Sequence, residues 1–154
     1  MTAQRGFVGP SARDGALGVH SLDHFSLIVP DLKIAQSYFA EFGLDVRERG
    51  NALQLRAYGS DHTWGIVIEG PRKRLHHISF GCFPEDLPRF KARLEANGVE
   101  LVDAPHGFES NGLWFRDHCG LLLEIHVAAK SSVNSKMSGT WASSPEGIAG
   151  APVR

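Results

Sequence analysis

The chain carries LDHFSLIVPDL at residues 22–32 and repeats the pattern as LHHISFGCFPEDL at residues 75–87. Each copy begins with an apolar run typical of a strand and continues into a Pro/Asp or Pro/Glu segment of the kind that starts a helix. The helical pattern after each copy stops at a glycine, Gly43 or Gly98, as expected of a helix C-cap. A repeat of this kind predicts two copies of one supersecondary unit.

Each predicted helix is followed by runs with strand character. They are ALQLRAY and WGIVIEG in the first half, and GLWFRDH and LLLEIHV in the second. The unit is therefore β-α-β-β-β, and we predict an α+β fold in which two such repeats form one module around a cavity. In the first helix, we expect Leu32, Ala35, Tyr38 and Phe39 to form the buried face.

Composition limits the organisation of the chain and its partners. The 154 residues suffice for one ordinary domain, which we place at residues 21–129. Residues 1–20 are predicted to be a flexible arm, and residues 130–154, whose largest apolar residue is Trp141, a linker-like tail. The formal net charge of −1 provides no basic field for a nucleic acid or an anionic membrane.

The cysteines and the apolar runs bear on the cellular compartment. Cys82 and Cys119 form neither a disulfide framework nor a CxxC pair, so reduced thiols are the simpler interpretation. No apolar run reaches transmembrane length, and the N-terminal residues lack the apolar core of a signal peptide. We therefore expect a cytoplasmic protein without a membrane partner.

Three residues in strand-like runs are candidate metal ligands: His24, His77 and Glu124. Two neutral imidazoles and one carboxylate, with other positions open, form the facial triad that suits a non-haem Fe(II) centre. The alternatives are hydrogen-bonded core histidines and a glutamate that lies at a strand edge or forms a salt bridge. The matching repeat positions of the histidines favour ligation, and a cation would offset the cost of burying Glu124. Strand alternation predicts that His76 points away from His77.

Other polar and aromatic residues are candidates for roles around such a site. His62 begins the strand that leads to His77, and an imidazole there suits general acid/base work, although an exposed turn residue is the alternative. His106 lies in a Gly/Pro-containing loop, and Asn111 precedes a glycine in a turn signal. Trp114 is expected to wall a pocket or to pack in the core. GxGxxG, GxxxxGK[ST] and GxSxG are all absent, so the sequence contains no phosphate cradle or nucleophile elbow of these types.

The HxxxxVPDL motif at residues 24–32 and the FRDxxG motif at residues 115–120 resemble the vicinal oxygen chelate superfamily, which includes glyoxalase I, bleomycin-resistance proteins and type I extradiol dioxygenases. The resemblance covers residues 21–128. The His24, His77 and Glu124 set is similar to the Fe(II) ligands of the extradiol enzymes. Glyoxalase-type members take a fourth ligand from the first half, where this chain offers only Glu69 near a strand end.

Further matches to the extradiol enzymes carry implied roles. GPRKRLHH follows His62, which therefore looks like their catalytic acid/base histidine. His106-Gly107 with Asn111 is similar to the segment that holds their second pocket histidine. Trp114 stands three residues before Asp117, where those enzymes have a tyrosine, so one phenol donor to the substrate is missing.

The resemblance implies an Fe(II)-dependent extradiol-type dioxygenase that cleaves a catechol-like aromatic diol with O₂ and assembles as a homodimer. One alternative is another metal-dependent member of the superfamily, such as an isomerase, lyase or thiol-conjugating enzyme with Mn, Zn or Ni. The other alternative is a metal-free small-molecule-binding protein of the resistance type. The two-module extradiol enzymes are longer, and this chain corresponds to one module.

Overall fold

The structure is a computed structural model that describes residues 16–129. Its elements follow the predicted order of two β-α-β-β-β units. The first unit consists of β1 (Ser21–Val29), α1 (Leu32–Glu41), β2 (Asp45–Arg49), β3 (Ala52–Arg56) and β4 (Thr63–Glu69). The second consists of β5 (Arg74–Cys82), α2 (Leu87–Ala96), β6 (Leu101–Val102), β7 (Leu113–Arg116) and β8 (Leu122–Val127). The predicted α+β class and the repeat are confirmed.

The strands form one mixed eight-stranded sheet in the order β2-β3-β4-β1-β5-β8-β7-β6. Within each unit the first strand pairs in parallel with the last, β1 with β4 and β5 with β8. The two units join through the antiparallel pair β1–β5 at the centre of the sheet. The topology therefore brings the two first strands, which carry His24 and His77, side by side.

Two one-residue bulges interrupt the β1–β5 ladder. The pairing passes over Asp23 in β1 and over His76 in β5. An unpaired extra residue breaks the regular alternation of side chains and redirects them. Each bulge lies immediately before one of the two candidate ligands, His24 and His77, so the distortion falls at equivalent points of the repeat.

Both helices begin and end where the sequence predicts. The Asp31 carboxylate accepts a hydrogen bond of 2.9 Å from the backbone N–H of Ile34, which caps α1. Asp86 precedes α2, and its carboxylate accepts from Arg89 instead, at 2.6 Å. Beyond the helices, Gly43 and Gly98 have φ values of 97° and 70°, a left-handed conformation that favours glycine.

The buried face of α1 differs from the prediction at one position. Ala35 is buried in the core of the first unit, and Leu32 and Phe39 pack against that core. Tyr38 is 61% exposed, so its expected place on the buried face is wrong. At about 100° per residue it shares the outer face with Ile34 and Phe42, one helical turn away on either side.

Residues 1–15 of the predicted arm and the predicted tail, 130–154 with Trp141, lie outside the described residues. Within the described part, His20 is buried, and its backbone N–H donates to Gly81 O at 2.9 Å. Its ring Nε2 lies 3.1 Å from Ala128 O, so the chain just before β1 contacts the chain just after β8. Neither helix in residues 16–129 is long and apolar enough to cross a membrane.

Candidate metal centre and pocket

The two candidate histidine ligands meet at the centre of the sheet. His24 Nε2 lies 3.2 Å from His77 Nε2, and the ring planes are inclined at 86°. Two nitrogen ligands of one cation, each about 2.1 Å away and nearly at right angles, are about 3 Å apart. The pair therefore has the spacing of two ligands of one metal ion. His77 is fully buried, and burial, followed by the nearby His24 and His76, lowers its pKa to about 3, which keeps it in the neutral form that binds metals.

Glu124 reaches the same region from β8. The register places His24 opposite Ser79 and Ser79 opposite Glu124, so the three residues form a row across β1, β5 and β8. Glu124 is 2% exposed. Its carboxylate accepts a hydrogen bond of 2.5 Å from Ser79 Oγ and a second one from Ser110 Oγ. These hydroxyls orient the buried carboxylate and leave it acceptor sites for a cation.

A cavity of about 190 Å³ opens beside these ligands. Its lining combines donor groups with an apolar wall: His24, Glu124, His126, Glu109, Ser110, Ile66, Phe108 and Trp114. Pockets for drug-sized ligands are typically about 300–1,000 Å³, so this one suits a smaller molecule. The indole N–H of Trp114 donates to Ser110 Oγ at 3.1 Å, and the same hydroxyl donates to the Glu124 carboxylate.

The first unit has a different residue at the position equivalent to Glu124. Ser26 on β1 corresponds to Ser79 on β5, and it lies opposite Ile66 on β4 as Ser79 lies opposite Glu124. Ile66 lines the cavity where a second carboxylate would stand. Ser26 is fully buried, and among the described residues its Oγ has no hydrogen-bond partner. The first unit therefore retains the supporting serine but has no acid for it to support.

Asp23 and His126 add charged groups next to His24. Asp23 Oδ2 lies 2.8 Å from His24 Nδ1 and 3.2 Å from His126 Nε2. Burial acts to raise the pKa of Asp23, but the contacts with His126 and His24 outweigh it and hold this pKa well below its usual range. Contact with Asp23 raises the pKa of His126 against the effect of burial. Asp23, His24 and His126 each offer a donor atom within 4.8 Å of the others, so they form a possible metal-binding group that includes His24. The predicted set of His24, His77 and Glu124 does not form such a group among the described residues.

His76 also contacts a candidate ligand. Its Nδ1 lies 2.8 Å from His77 Nδ1, and its ring packs against Phe108 at 5.3 Å between ring centroids. The expectation that His76 points away from His77 is wrong because the bulge breaks the alternation on which it rested. Burial, followed by the charges of Arg74 and Arg116, lowers the pKa of His76.

Three other predicted site residues lie outside the lining of the cavity. His62 Nε2 donates to the backbone carbonyl of Asp23 at 2.6 Å, and its ring packs against Trp64. The side chain of His106 is exposed and contacts Glu109, and Asn111 is exposed as well. None of the three lines the cavity; the loop that carries His106 and Asn111 contributes Phe108, Glu109 and Ser110 instead. The roles of His62, His106 and Asn111 remain predictions.

Sequence reasoning missed several residues of this site. His126 stands two residues after Glu124 on the same strand, so alternation alone places it on the same face. The same rule, applied from His77, finds Ser79. Asp23 and Phe108 gave no such signal, because one depends on a bulge and the other on the path of a loop.

Comparison with known proteins shows the family of the chain. The family model of the Glyoxalase/Bleomycin resistance protein/Dioxygenase superfamily matches residues 21–125. The chain belongs to this superfamily. It is 38% identical over 136 residues to a protein named metapyrocatechase 2 from Cupriavidus necator, covering 88% of this chain and 42% of that protein. The chain thus spans less than half of this curated relative.

Solved structures show the same fold at lower identity. An extradiol ring-cleaving dioxygenase from Brevibacterium fuscum superimposes with a TM-score of 0.61 at 24% identity, over 73% of this chain and 33% of that one. A Mn(II)-bound glyoxalase from Novosphingobium aromaticivorans gives 0.60 at 21% identity, over 70% of this chain and 38% of that one. Neighbours with two different activities fit almost equally well, so the fold alone does not select the reaction.

Proposed function

We propose that the protein is an extradiol-type dioxygenase that cleaves a single-ring, catechol-like diol with O₂. The observation that carries the proposal is the 3.2 Å contact between His24 and His77, with Glu124 on the wall of the adjacent cavity. The 38% identity to a protein named metapyrocatechase supports the same reaction class. The cavity volume of about 190 Å³ supports a small aromatic substrate.

We propose Fe(II) as the metal, held by His24, His77 and Glu124. When bound, it would supply Lewis acidity toward the two diol oxygens and the redox chemistry needed for O₂. The protein supplies neutral imidazoles, of which His77 is kept neutral by burial. It also supplies one carboxylate whose orientation is fixed by Ser79 and Ser110.

The position of Ile66 favours this reaction over that of a four-ligand member of the superfamily. Because the first unit offers Ile66 where the second offers Glu124, the two equivalent strand positions supply a single carboxylate to the cavity. With His24 and His77, this makes three proposed protein ligands. A metal held on one face by three ligands keeps adjacent positions for a diol and O₂. Ile66, Phe108 and Trp114 would enclose the ring and exclude water.

Proton transfer is proposed for His62, with His106 and Asn111 as contacts to the substrate. His62 donates from Nε2, so in its neutral form Nδ1 is the proton acceptor. It lies one hydrogen bond away from the backbone of Asp23, next to the ligand His24. Trp114 is proposed to wall the substrate rather than to donate to it, since its N–H is already bound to Ser110.

Oxygen consumption tests the function directly. Protein loaded anaerobically with Fe(II) should consume one O₂ per ring-opened product with at least one catechol from a panel, measured with an oxygen electrode and by product mass. Glu124→Gln should remove turnover, whereas Glu69→Gln, at the exposed end of β4, should not. Uptake of a diol without O₂ consumption by the iron-loaded protein would overturn the proposal in favour of another metal-dependent enzyme or a binding protein.

We also propose that the protein forms a homodimer through the outer face of α1. Ile34, Tyr38 and Phe42 are 67%, 61% and 64% exposed, and the rings of Tyr38 and Phe42 stack at 6.5 Å. The positions equivalent to these on α2, counted from the helix N-caps, are polar: Arg89, Arg93 and Asn97. The apolar character of this face is therefore specific to α1 and not required by the fold.

A second copy is the occupant that best suits this face. In an antiparallel pairing of two α1 helices, Tyr38 lies on the two-fold axis and Ile34 of each copy meets Phe42 of the other. Each contact therefore occurs twice, as in the self-complementary interface of a two-fold dimer. The three side chains would bury roughly 400 Å² per copy, the size of a weak interface.

A further inference from the structure

The two bulges in the central strand pair place a polar side chain beside each candidate ligand. In a regular strand, Asp23 and His76 would point to the face opposite His24 and His77. Because the pairing passes over both residues, their side chains turn back toward the ligand that follows them. Asp23 Oδ2 lies 2.8 Å from His24 Nδ1, and His76 Nδ1 lies 2.8 Å from His77 Nδ1. In both cases the contact is made to Nδ1, the nitrogen remote from the 3.2 Å contact between the ligands.

The carboxylate of Asp23 determines the direction of the hydrogen bonds in this group. An ionised carboxylate only accepts, so His24 Nδ1 carries the proton and donates it to Asp23. With neutral imidazoles, His24 Nε2 is then a bare acceptor that faces His77 Nε2. His77 Nε2 therefore donates, and its Nδ1 accepts from His76 Nδ1. The four side chains form one chain that runs His76→His77→His24→Asp23.

We propose that Asp23 and His76 are positioning residues that fix the ring orientation and the tautomer of His24 and His77 for metal binding. The inference rests on the proposed ligand roles of those two histidines. Asp23 keeps the proton of His24 on Nδ1, so that Nε2 is ready as a ligand. His76 provides a partner for His77 in both states, because it can donate to or accept from His77 Nδ1.

A cation bound to Nε2 of both histidines would need that atom of His77 without its proton. The proton of the neutral His77 ring would then lie on Nδ1, where His76, which is only partly buried, would accept the hydrogen bond. His76 would carry its own proton on Nε2, so each ring would keep one proton.

Metal affinity and tautomers test the proposal with the full chain. Dissociation constants for Mn(II) and Zn(II) would be measured by competition with a chelator. We expect Asp23→Ala to weaken binding by about 10–100-fold, the usual effect of removing the partner of a ligating histidine. Asp23→Asn and His76→Gln, which retain an acceptor, should lose less than Asp23→Ala and His76→Phe. Asp103→Ala, at an exposed position, serves as the control and should match the wild type.

Nitrogen-15 NMR of the imidazoles provides a readout that needs no catalysis. The metal-free wild type should show His24 protonated at Nδ1 and His77 at Nε2, and Zn(II) should move the His77 proton to Nδ1. Asp23→Ala should release His24 to the Nε2-protonated tautomer. Wild-type His24 protonated at Nε2 would overturn the inference, and this result does not depend on the folding of any variant. Wild-type affinity in both Asp23→Ala and His76→Phe would overturn it as well. If His24→Ala also kept full affinity, the ligand assignment itself would be wrong.

Discussion

Replacement of Ile66 by glutamate tests the idea that this residue leaves the metal site open. The new carboxylate would stand where Glu124 stands in the second unit, opposite the buried Ser26 hydroxyl. Ile66 is half-buried, so in metal-free protein the change loses less than the about 1.5–3 kcal/mol that full burial of an isoleucine contributes, and it adds the cost of a partly enclosed charge. A hydrogen bond from Ser26 to the charged group returns about 1.5–3 kcal/mol. We therefore expect the metal-free variant to be less stable by a few kcal/mol.

Metal binding should reverse this effect. A fourth ligand should raise the affinity for Mn(II) or Zn(II) by at least about tenfold, equivalent to about 1.4 kcal/mol. It should also lower O₂ consumption with diols, because a position needed by the substrate is filled. Chelator competition and thermal unfolding with and without metal measure the first effect, and an oxygen electrode the second. Ile66→Leu, which keeps the wall apolar, is the matched control and should change neither quantity substantially.

The two equivalent serines provide a second arm of the same experiment. Ser26→Ala in the wild-type background removes a buried hydroxyl without a partner, so stability should be unchanged or rise by about 1 kcal/mol. Ser79→Ala removes a hydrogen bond to a buried carboxylate and should cost about 1–3 kcal/mol. In the Ile66→Glu background, Ser26→Ala should remove part of the gained metal affinity. If Ile66→Glu bound metal no more tightly than the wild type, the equivalence of the two positions would be refuted.

Three further outcomes are expected. His24→Ala should abolish stoichiometric metal binding, measured by elemental analysis, whereas His62→Phe should keep the metal and lower kcat by about two to four decades. Cys119 is exposed and should react rapidly with a thiol reagent at pH 8. Cys82 is buried, and burial raises the pKa of its thiol, so it should react only after unfolding. In sedimentation experiments, the wild type should form a concentration-dependent dimer and Tyr38→Arg should be a monomer. A wild type that stays monomeric at high concentration would contradict the α1 interface.

Much of the fold and part of the site could be predicted from the sequence because both depend on short-range patterns. The strand, Pro/Asp and glycine signals repeat at matching positions, and they place β1, α1, β5 and α2 correctly. The same repeat singled out His24 and His77, which the sheet brings into contact. The prediction that Glu124 would be buried also agrees with the structure.

Other parts of the site depend on features with no periodic signature. The bulges at Asp23 and His76 reverse the side expected from alternation, and one extra residue in a strand leaves no mark on its apolar pattern. Phe108 enters the cavity lining from a loop whose path depends on its contacts. On α1, the helical spacing of apolar residues assigned Tyr38 to the buried face, although it is exposed. The sequence does not distinguish an aromatic residue on the outer face of a helix from one on the buried face.

Comparison of the two units separates what the fold requires from what the site requires. Some residues shared by both units serve the scaffold: Asp31 and Asp86 precede the helices, and Gly43 and Gly98 follow them. The shared His24 and His77 are the proposed ligands instead. The differences concentrate where chemistry or contact is proposed. The first unit has Ile66 where the second has Glu124, and both residues line the cavity. Beside the proposed ligand, the first unit has the carboxylate of Asp23 and the second has the imidazole of His76. The outer face is apolar on α1 and polar on α2. A site with one carboxylate on one side is a consequence of this divergence, because two identical units would surround the metal symmetrically and leave the substrate less room.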